Sequence, residues 1–146
     1  MDIKFLSEKF YAEFQDCKEI LKKEDRPYLV LVIECDGIDY AIPFRTNINH
    51  NLSFICSEDP EYRGGLDYTK AIPILEDYYI KQLDKEIKIK QNEFNYLKSK
   101  EEKLKKGFKK YLKEFRKATL NSDQKRYEKI LKYSSLQYFK DRLQIK

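Results

Sequence analysis

The sequence predicts an α+β protein, a curled antiparallel sheet backed by helices, in a single domain of 146 residues. Three observations predict it. Residues 28–44 hold two apolar runs separated by Asp36-Gly37, which reads as a β-hairpin. From Asn92 the apolar residues change to steps of three and four, the period of a helix. Charge follows the same division: residues 1–80 carry nine Lys and Arg against sixteen Asp and Glu, net −7, and residues 81–146 carry 21 against nine, net +12. The domain therefore reads as a sheet-rich acidic half, 1–81, and a helical basic half, 92–146.

Taken in order, Ile3 to Leu6 reads as a short strand, and Ser7 starts a helix with Phe10, Phe14 and Cys17 on one face. Pro27 follows a polar connection and discourages helix at Arg26. Tyr28 to Cys35 is rich in β-branched residues and reads as a buried strand, paired across the Asp36-Gly37 turn with Ile38 to Phe44. Leu52 to Cys56 is a shorter strand. Residues 57–66, with Pro60, Gly64 and Gly65 among charges, read as an exposed loop. Tyr68 to Ile74 reads as a further strand, with one more near Tyr78 to Lys81.

In the basic half Phe94, Leu97, Leu104, Phe108, Tyr111, Leu112 and Phe115 trace an apolar stripe, with lysines from Lys98 to Lys117 on the opposite face. Gly107 interrupts it at about 1 kcal/mol relative to Ala and marks a place to bend. A second helix starts near Ser122 with Tyr127, Ile130 and Leu131 inward. Ser134 and Gln137 offer a capping box for a last helix carrying Leu136, Phe139 and Leu143. These helices are the natural cover for one face of the sheet.

Composition removes several classes. No apolar stretch approaches the ~20 residues of a membrane helix, and charged residues follow Met1 at once, so neither a membrane span nor a signal peptide is expected. Cys17, Cys35 and Cys56 are odd in number and widely spaced, unlike a disulfide framework or a zinc site, and read as reduced cysteines of a cytoplasmic protein. The single histidine, His50, excludes two-histidine nuclease arrangements. Neither a cofactor nor a metal ion is expected. Glu34 and Asp36 lie two apart, but carboxylates beside a hairpin turn are usually solvated, and no third acidic ligand accompanies them. The basic half suits a polyanion partner, or is simply a lysine-rich solvated helix.

The most informative stretch is Ala41-Ile42-Pro43-Phe44-Arg45-Thr46-Asn47-Ile48-Asn49-His50, where an apolar strand ends and an arginine, a hydroxyl, two amides and the histidine follow within six residues. Strand ends feeding polar loops are where a rigid scaffold presents functional groups. Metal-independent RNA cleavage needs a base for the 2′-hydroxyl, an acid for the leaving 5′-oxygen and donors around the phosphate. His50 suits either proton-transfer role near neutral pH. Arg45, Arg26 and Lys70 are cations for the phosphorane, and Thr46 or Asn47 can hold it. The competing reading is a polar turn whose amides cap the strand and whose histidine is merely exposed.

In this stretch and three others the chain resembles the endoribonuclease toxins of type III toxin–antitoxin systems, the ToxN, AbiQ, CptN and TenpN proteins. The blocks are Arg26-Pro27-Tyr28 leading into Val32-Ile33-Glu34-Cys35-Asp36-Gly37; Tyr40 to His50; Gly65-Leu66-Asp67-Tyr68-Thr69-Lys70-Ala71-Ile72-Pro73-Ile74; and Tyr133-Ser134-Ser135-Leu136-Gln137-Tyr138-Phe139. The Asn-Ile-x-His ending looks closest to the CptN and TenpN branch. The resemblance implies a compact, barrel-like twisted antiparallel sheet similar to the Kid and MazF toxins. It implies metal-independent cleavage of A-rich RNA, cellular or phage mRNA included, to 2′,3′-cyclic phosphate ends. It also implies an antitoxin RNA, a pseudoknot cut by the toxin from a tandem-repeat transcript, that holds several toxin copies in one assembly.

Residue by residue, Thr46 takes the position of the family's catalytic hydroxyl, and Arg26 that of the basic residue before the central strand. ToxN has a serine and a lysine at these places, and a threonine where Arg45 stands, so weight moves onto His50. Lys70 falls in the matching third block as a binding residue. Asn47, Asn49 and Tyr11 are further RNA-binding candidates, the last as a stacking ring beside Phe10 and Phe14 that equally suits the core. Lys105, Lys106, Lys109 and Lys110 are candidates for antitoxin phosphates, with the steep salt dependence such contacts bring. A non-catalytic RNA-binding or regulatory protein using the lysine helix is the alternative from another class, and a protein-neutralised toxin of the MazF kind is a third.

Overall fold

The computed structural model describes residues 1–21, 29–56, 64–82 and 91–143, the last without the side chains of 91–94. β1 (Asp2–Phe5) and α1 (Glu8–Glu13) open the chain, and the Ser7 hydroxyl caps α1 by accepting the Phe10 N–H at 3.0 Å. The hairpin of β2 (Leu29–Cys35) and β3 (Ile38–Arg45) is in register from Cys35↔Ile38 to Val30↔Pro43. Its turn has φ 53° at Asp36 and 83° at Gly37, the left-handed pair that a two-residue hairpin requires. Glu34 is spent locally, its carboxylate accepting the Gly37 N–H at 2.7 Å.

β3 organises the sheet. One edge pairs with β2, and β1 pairs antiparallel on the far side of β2. The other edge takes two short partners in turn: β6 (Ile72–Pro73) against Tyr40 and Ala41, then β5 (Gly65–Asp67) against Phe44 and Arg45. Pro43, which has no N–H to give, stands between those two pairings. β4 (Ser53–Ile55) lies outside β5, giving the order β1-β2-β3-β5-β4. No described pairing joins β1 to β4, so the sheet is open where a barrel-like closure is expected from the resemblance.

α2 (Gln91–Ser99) and α3 (Glu101–Leu120) follow. α3 buries Leu104, Phe108, Tyr111, Leu112, Phe115 and Ala118, the stripe expected from the sequence, and Phe108 meets Tyr40 of β3 at 5.0 Å between ring centres. A second aromatic corner joins Phe10 and Phe14 to Tyr79 at 4.9 and 5.8 Å, and Phe14 to Phe139 at 5.2 Å. α4 (Glu128–Tyr133) and a 3₁₀ turn at Ser135–Tyr138 close the helical layer, with Leu136, Phe139 and Leu143 buried.

Several boundaries differ from expectation, each for a local reason. Gly65 and Leu66 are not loop but buried strand. A Cβ at Gly65 would sit 2.2 Å from the Phe54 carbonyl oxygen, so only glycine lets β4 close on β5. The single strand expected over Tyr68–Ile74 is split, because Asp67 caps the Thr69 N–H at 3.0 Å and turns Tyr68–Lys70 into a 3₁₀ turn. The strand expected near Tyr78 is a 3₁₀ turn at Asp77–Tyr79 followed by one bridge, Leu6↔Ile80. The helix expected from Ser122 is a 3₁₀ turn at Lys125–Tyr127 leading into α4. Residues 57–63, Tyr28 and the side chain of Phe94 lie outside the described residues.

Gly107 does not break α3; the interruption falls at Lys100. The glycine leaves room for Tyr68, whose hydroxyl donates to the Leu104 carbonyl at 2.9 Å and lies 2.7 Å from where a Cβ would stand. Gly107→Ala gains about 1 kcal/mol of helix propensity but strands a buried hydroxyl, at about 1–3 kcal/mol. Urea denaturation should show Gly107→Ala to be destabilising in the natural chain and stabilising in a Tyr68→Phe background. Equal effects in both backgrounds would detach Gly107 from Tyr68.

Candidate functional site

β3 delivers Arg45 at its last residue, where the chain leaves the sheet. Asn47 then takes φ 57°, a left-handed conformation that asparagine tolerates. Ile48 is buried and pins the loop, while Thr46, Asn47 and Asn49 are exposed. His50 turns inward, and Leu52 leads into β4.

The residue that gathers this loop is Asp67, at the end of β5 and opposite Ser53 of β4. Its side chain has no exposed surface and four donors reach it. The Arg45 guanidinium (Nη1) donates to Oδ2 at 2.7 Å. His50 Nε2 lies 3.2 Å from Oδ1, which also accepts the Thr69 N–H at 3.0 Å and the Thr69 hydroxyl at 2.5 Å. Burial pushes the Asp67 carboxyl up, but the bonds from His50, Thr69 and Arg45 outweigh it and hold the group below the usual carboxylate range.

The other imidazole nitrogen is also engaged: Nδ1 accepts the Leu52 N–H at 3.1 Å. An acceptor at Nδ1 and a carboxylate at Nε2 together define the neutral tautomer protonated on Nε2. Leu52 is itself fixed, its carbonyl accepting the Tyr68 N–H at 3.1 Å. Arg45 and His50 each keep about a third of the side chain exposed, 34% and 32%. The arrangement thus gathers a guanidinium and an oriented imidazole on one carboxylate, with the exposed Thr46 and Asn47 between them in the chain.

Behind the carboxylate, the Tyr133–Phe139 block fixes the 3₁₀ turn. The Ser135 hydroxyl donates to the Ala71 carbonyl and, at 3.2 Å, to the Thr69 carbonyl. Ser134 meets the Tyr111 hydroxyl and caps the Leu136 N–H. Lys70 belongs to this structural layer. Its ammonium donates to Glu19 at 2.7 Å and to the Tyr133 carbonyl at 2.9 Å, with 11% of the side chain exposed, so it is a tie between elements and not an open cation for RNA.

Tyr11 is half-buried, edge-on to Phe10 at 5.6 Å, and lines a small pocket with Leu6, Ile20, Val30, Pro43 and Ile72. Lys106, Lys109 and Lys110 are exposed along α3, and Lys105 pairs with Glu101 at 3.5 Å. Arg26 lies outside the described residues. Among the described residues no group of three or more His, Cys, Asp or Glu side chains gathers as a metal ion would need, and no helix is long and apolar enough to cross a membrane.

Sequence reasoning passed over Asp67 and Thr69 as functional residues. The available signal was a lone carboxylate two residues before a threonine, in the Leu66–Ile74 stretch, where Lys70 is the only other charged residue. That spacing suits a side chain capping its own turn.

In comparisons with known proteins, no family model matches the chain, and no curated protein matches it. Among solved structures it is similar to one described by the words "A processed non-coding RNA regulates a bacterial antiviral system". The likeness has a TM-score of 0.59 at 15% identity and covers 86% of this chain and 90% of that chain. This chain therefore has the fold of a protein from a bacterial antiviral system under the control of a processed RNA.

The lowered Asp67 carboxyl has a consequence for acid stability. A carboxyl depressed in the folded state contributes stability above its unfolded value, near 3.8, and loses it as pH falls through the lower folded value. Urea midpoints measured from pH 6 down to pH 2 should fall more gently in Asp67→Asn than in the natural chain, the two curves converging at the acid end. Parallel curves would show that Asp67 carries no such linkage.

Proposed function

We propose that this chain is the toxin of a type III toxin–antitoxin pair, a metal-independent endoribonuclease that cleaves A-rich RNA to 2′,3′-cyclic phosphate ends. Its inhibitor is a pseudoknot RNA that it cuts from a repeat transcript and that joins several copies of the protein. The observation that carries this reading is the convergence of Arg45 and His50 on one buried carboxylate, beside Thr46 and Asn47. Its support is threefold: the four sequence blocks in which the chain resembles the toxin family, the fold held in common with a protein of an RNA-regulated antiviral system, and the chemistry of the loop.

In the reaction the 2′-oxygen bonds to phosphorus as the P–O5′ bond breaks, and no water is consumed. Arg45 supplies charge-assisted donors to the phosphorane. The exposed Thr46 hydroxyl and Asn47 amide hold the scissile phosphate. His50 moves the proton. Arg26 adds a cation on the strength of the family resemblance. The exposed lysines of α3 take antitoxin phosphates.

A non-catalytic RNA-binding protein is the second reading, favoured by the occupation of His50 Nδ1 by the Leu52 N–H. The two separate in one assay. Purified protein incubated with A-rich RNA in EDTA should give discrete products ending in cyclic phosphate. His50→Asn keeps an acceptor for Leu52, and His50→Gln keeps a donor for Asp67; each should lower cleavage by about 10²-fold or more. Thr46→Ala should also lose cleavage while still binding antitoxin RNA. RNA bound but never cut by the natural chain would establish the second reading, and full activity in folded His50→Asn would make the imidazole a loop brace.

A further inference from the structure

We infer that Asp67 is a positioning residue of the cleavage reaction: it fixes His50 with its proton on Nε2, so that Nδ1 is the nitrogen that takes the proton from the 2′-hydroxyl. This rests on the endoribonuclease reading and deepens it. Neither Asp67 nor the choice of nitrogen follows from the loop sequence. Both follow from where β5 ends.

The geometry is specific about the direction of the proton. Nε2 faces a fully buried carboxylate at 3.2 Å, on the protein side of the ring. No substrate atom reaches Nε2 without displacing Asp67, which two bonds from Thr69 and one from Arg45 hold in place. Nδ1 faces the other way, toward the Leu52 N–H. A 2′-hydroxyl is a donor of the same kind as that N–H, so it replaces the amide at Nδ1 without changing the tautomer. Leu52 is tied to Tyr68 through its carbonyl, so the exchange is made by a turn of the Asn51–Leu52 peptide, while Asp67 keeps its hold on Nε2 and β4 stays in place.

The step balances simply. The O2′–H proton passes to Nδ1 as the O2′–P bond forms and the P–O5′ bond breaks. The leaving 5′-oxygen takes a proton from water. The imidazolium, now protonated at both nitrogens, is stabilised by the Asp67 carboxylate until it returns its extra proton to solvent. The same carboxylate aims Arg45, so one buried charge orients both the proton acceptor and the cation beside the phosphate. Asp67 does not touch substrate and acts only through these two side chains.

The chain has one histidine, so its imidazole nitrogens give a one-residue spectrum. Long-range ¹H–¹⁵N correlation of the natural protein at neutral pH should show Nε2 protonated and Nδ1 bare. Asp67→Asn keeps an oxygen to cap Thr69, but places an NH₂ group against Arg45 and removes the charge. Asp67→Leu, with no acceptor facing Nε2, should lose the single-tautomer pattern, whereas Asp67→Asn keeps the oxygen that faces Nε2 and with it the pattern. The kcat of Asp67→Asn on A-rich RNA should fall about 10²-fold or more, with KM within about threefold and the circular dichroism of the natural chain retained. A natural-chain histidine protonated on Nδ1 would overturn the inference, whether or not any variant folds. So would wild-type kcat in a folded Asp67→Asn. If the natural protein cleaves no RNA, the endoribonuclease reading fails on its own, while the spectrum still reports whether Asp67 sets the tautomer.

Discussion

A carboxylate with no exposed surface must be met by donors or give up its charge. Asp67 is met by four: a guanidinium, an imidazole, a hydroxyl and a backbone amide. Together they tie down three pieces of chain. Arg45 is the end of β3, His50 the middle of the following loop, and Thr69 the turn that carries the chain back toward β6. Arg45 brings the compensating charge and the other three donors fill the remaining acceptor sites, so losing any one weakens the hold on the rest. The loop that presents Thr46 and Asn47 is thereby fixed to the sheet at its first residue and again near its end.

The rest of the architecture serves to place that carboxylate. β5 is only three residues long and lies between β3 and β4. Gly65 lets β4 approach where a Cβ would strike its backbone, and Leu66 fills the interior. Asp67 can only emerge at the strand end. α3 covers the other side through Phe108 and Tyr111, both in ring contact with Tyr68, the residue after Asp67. The serines of the Tyr133–Phe139 block then take the carbonyls of the turn. The helical layer therefore braces the site from behind, while its lysines face outward.

Much of this was legible in the sequence where the signal was local. The Asp36-Gly37 hairpin, the Ser7 cap and the stripe from Leu97 to Phe115 each depend on neighbours within a few residues, and each appears at its expected place. The loop from Arg45 to His50 was legible as a cluster because strand and loop composition change abruptly at Phe44. What depended on distant chain was not legible. Gly65 looks like a loop residue until β4 is seen against it. Gly107 looks like a helix breaker until the Tyr68 hydroxyl is seen beneath it. Lys70 looks like a free cation until Glu19 and the Tyr133 carbonyl are found around it. Asp67 was hidden for the same reason: its partners lie 17 and 22 residues earlier in the chain.

If RNA is bound and cut at the Arg45–His50 loop, with the histidine held ready by Asp67, the ring of His50 must respond to bound RNA. The most direct measurement is a titration of the single histidine's ring resonances with an A-rich 2′-O-methyl RNA, which binds like substrate but has no 2′-hydroxyl to react. A saturable shift of the His50 signals that tracks binding measured independently by RNA anisotropy is expected. Saturable binding with the His50 signals unmoved would contradict it and place the RNA elsewhere on the protein.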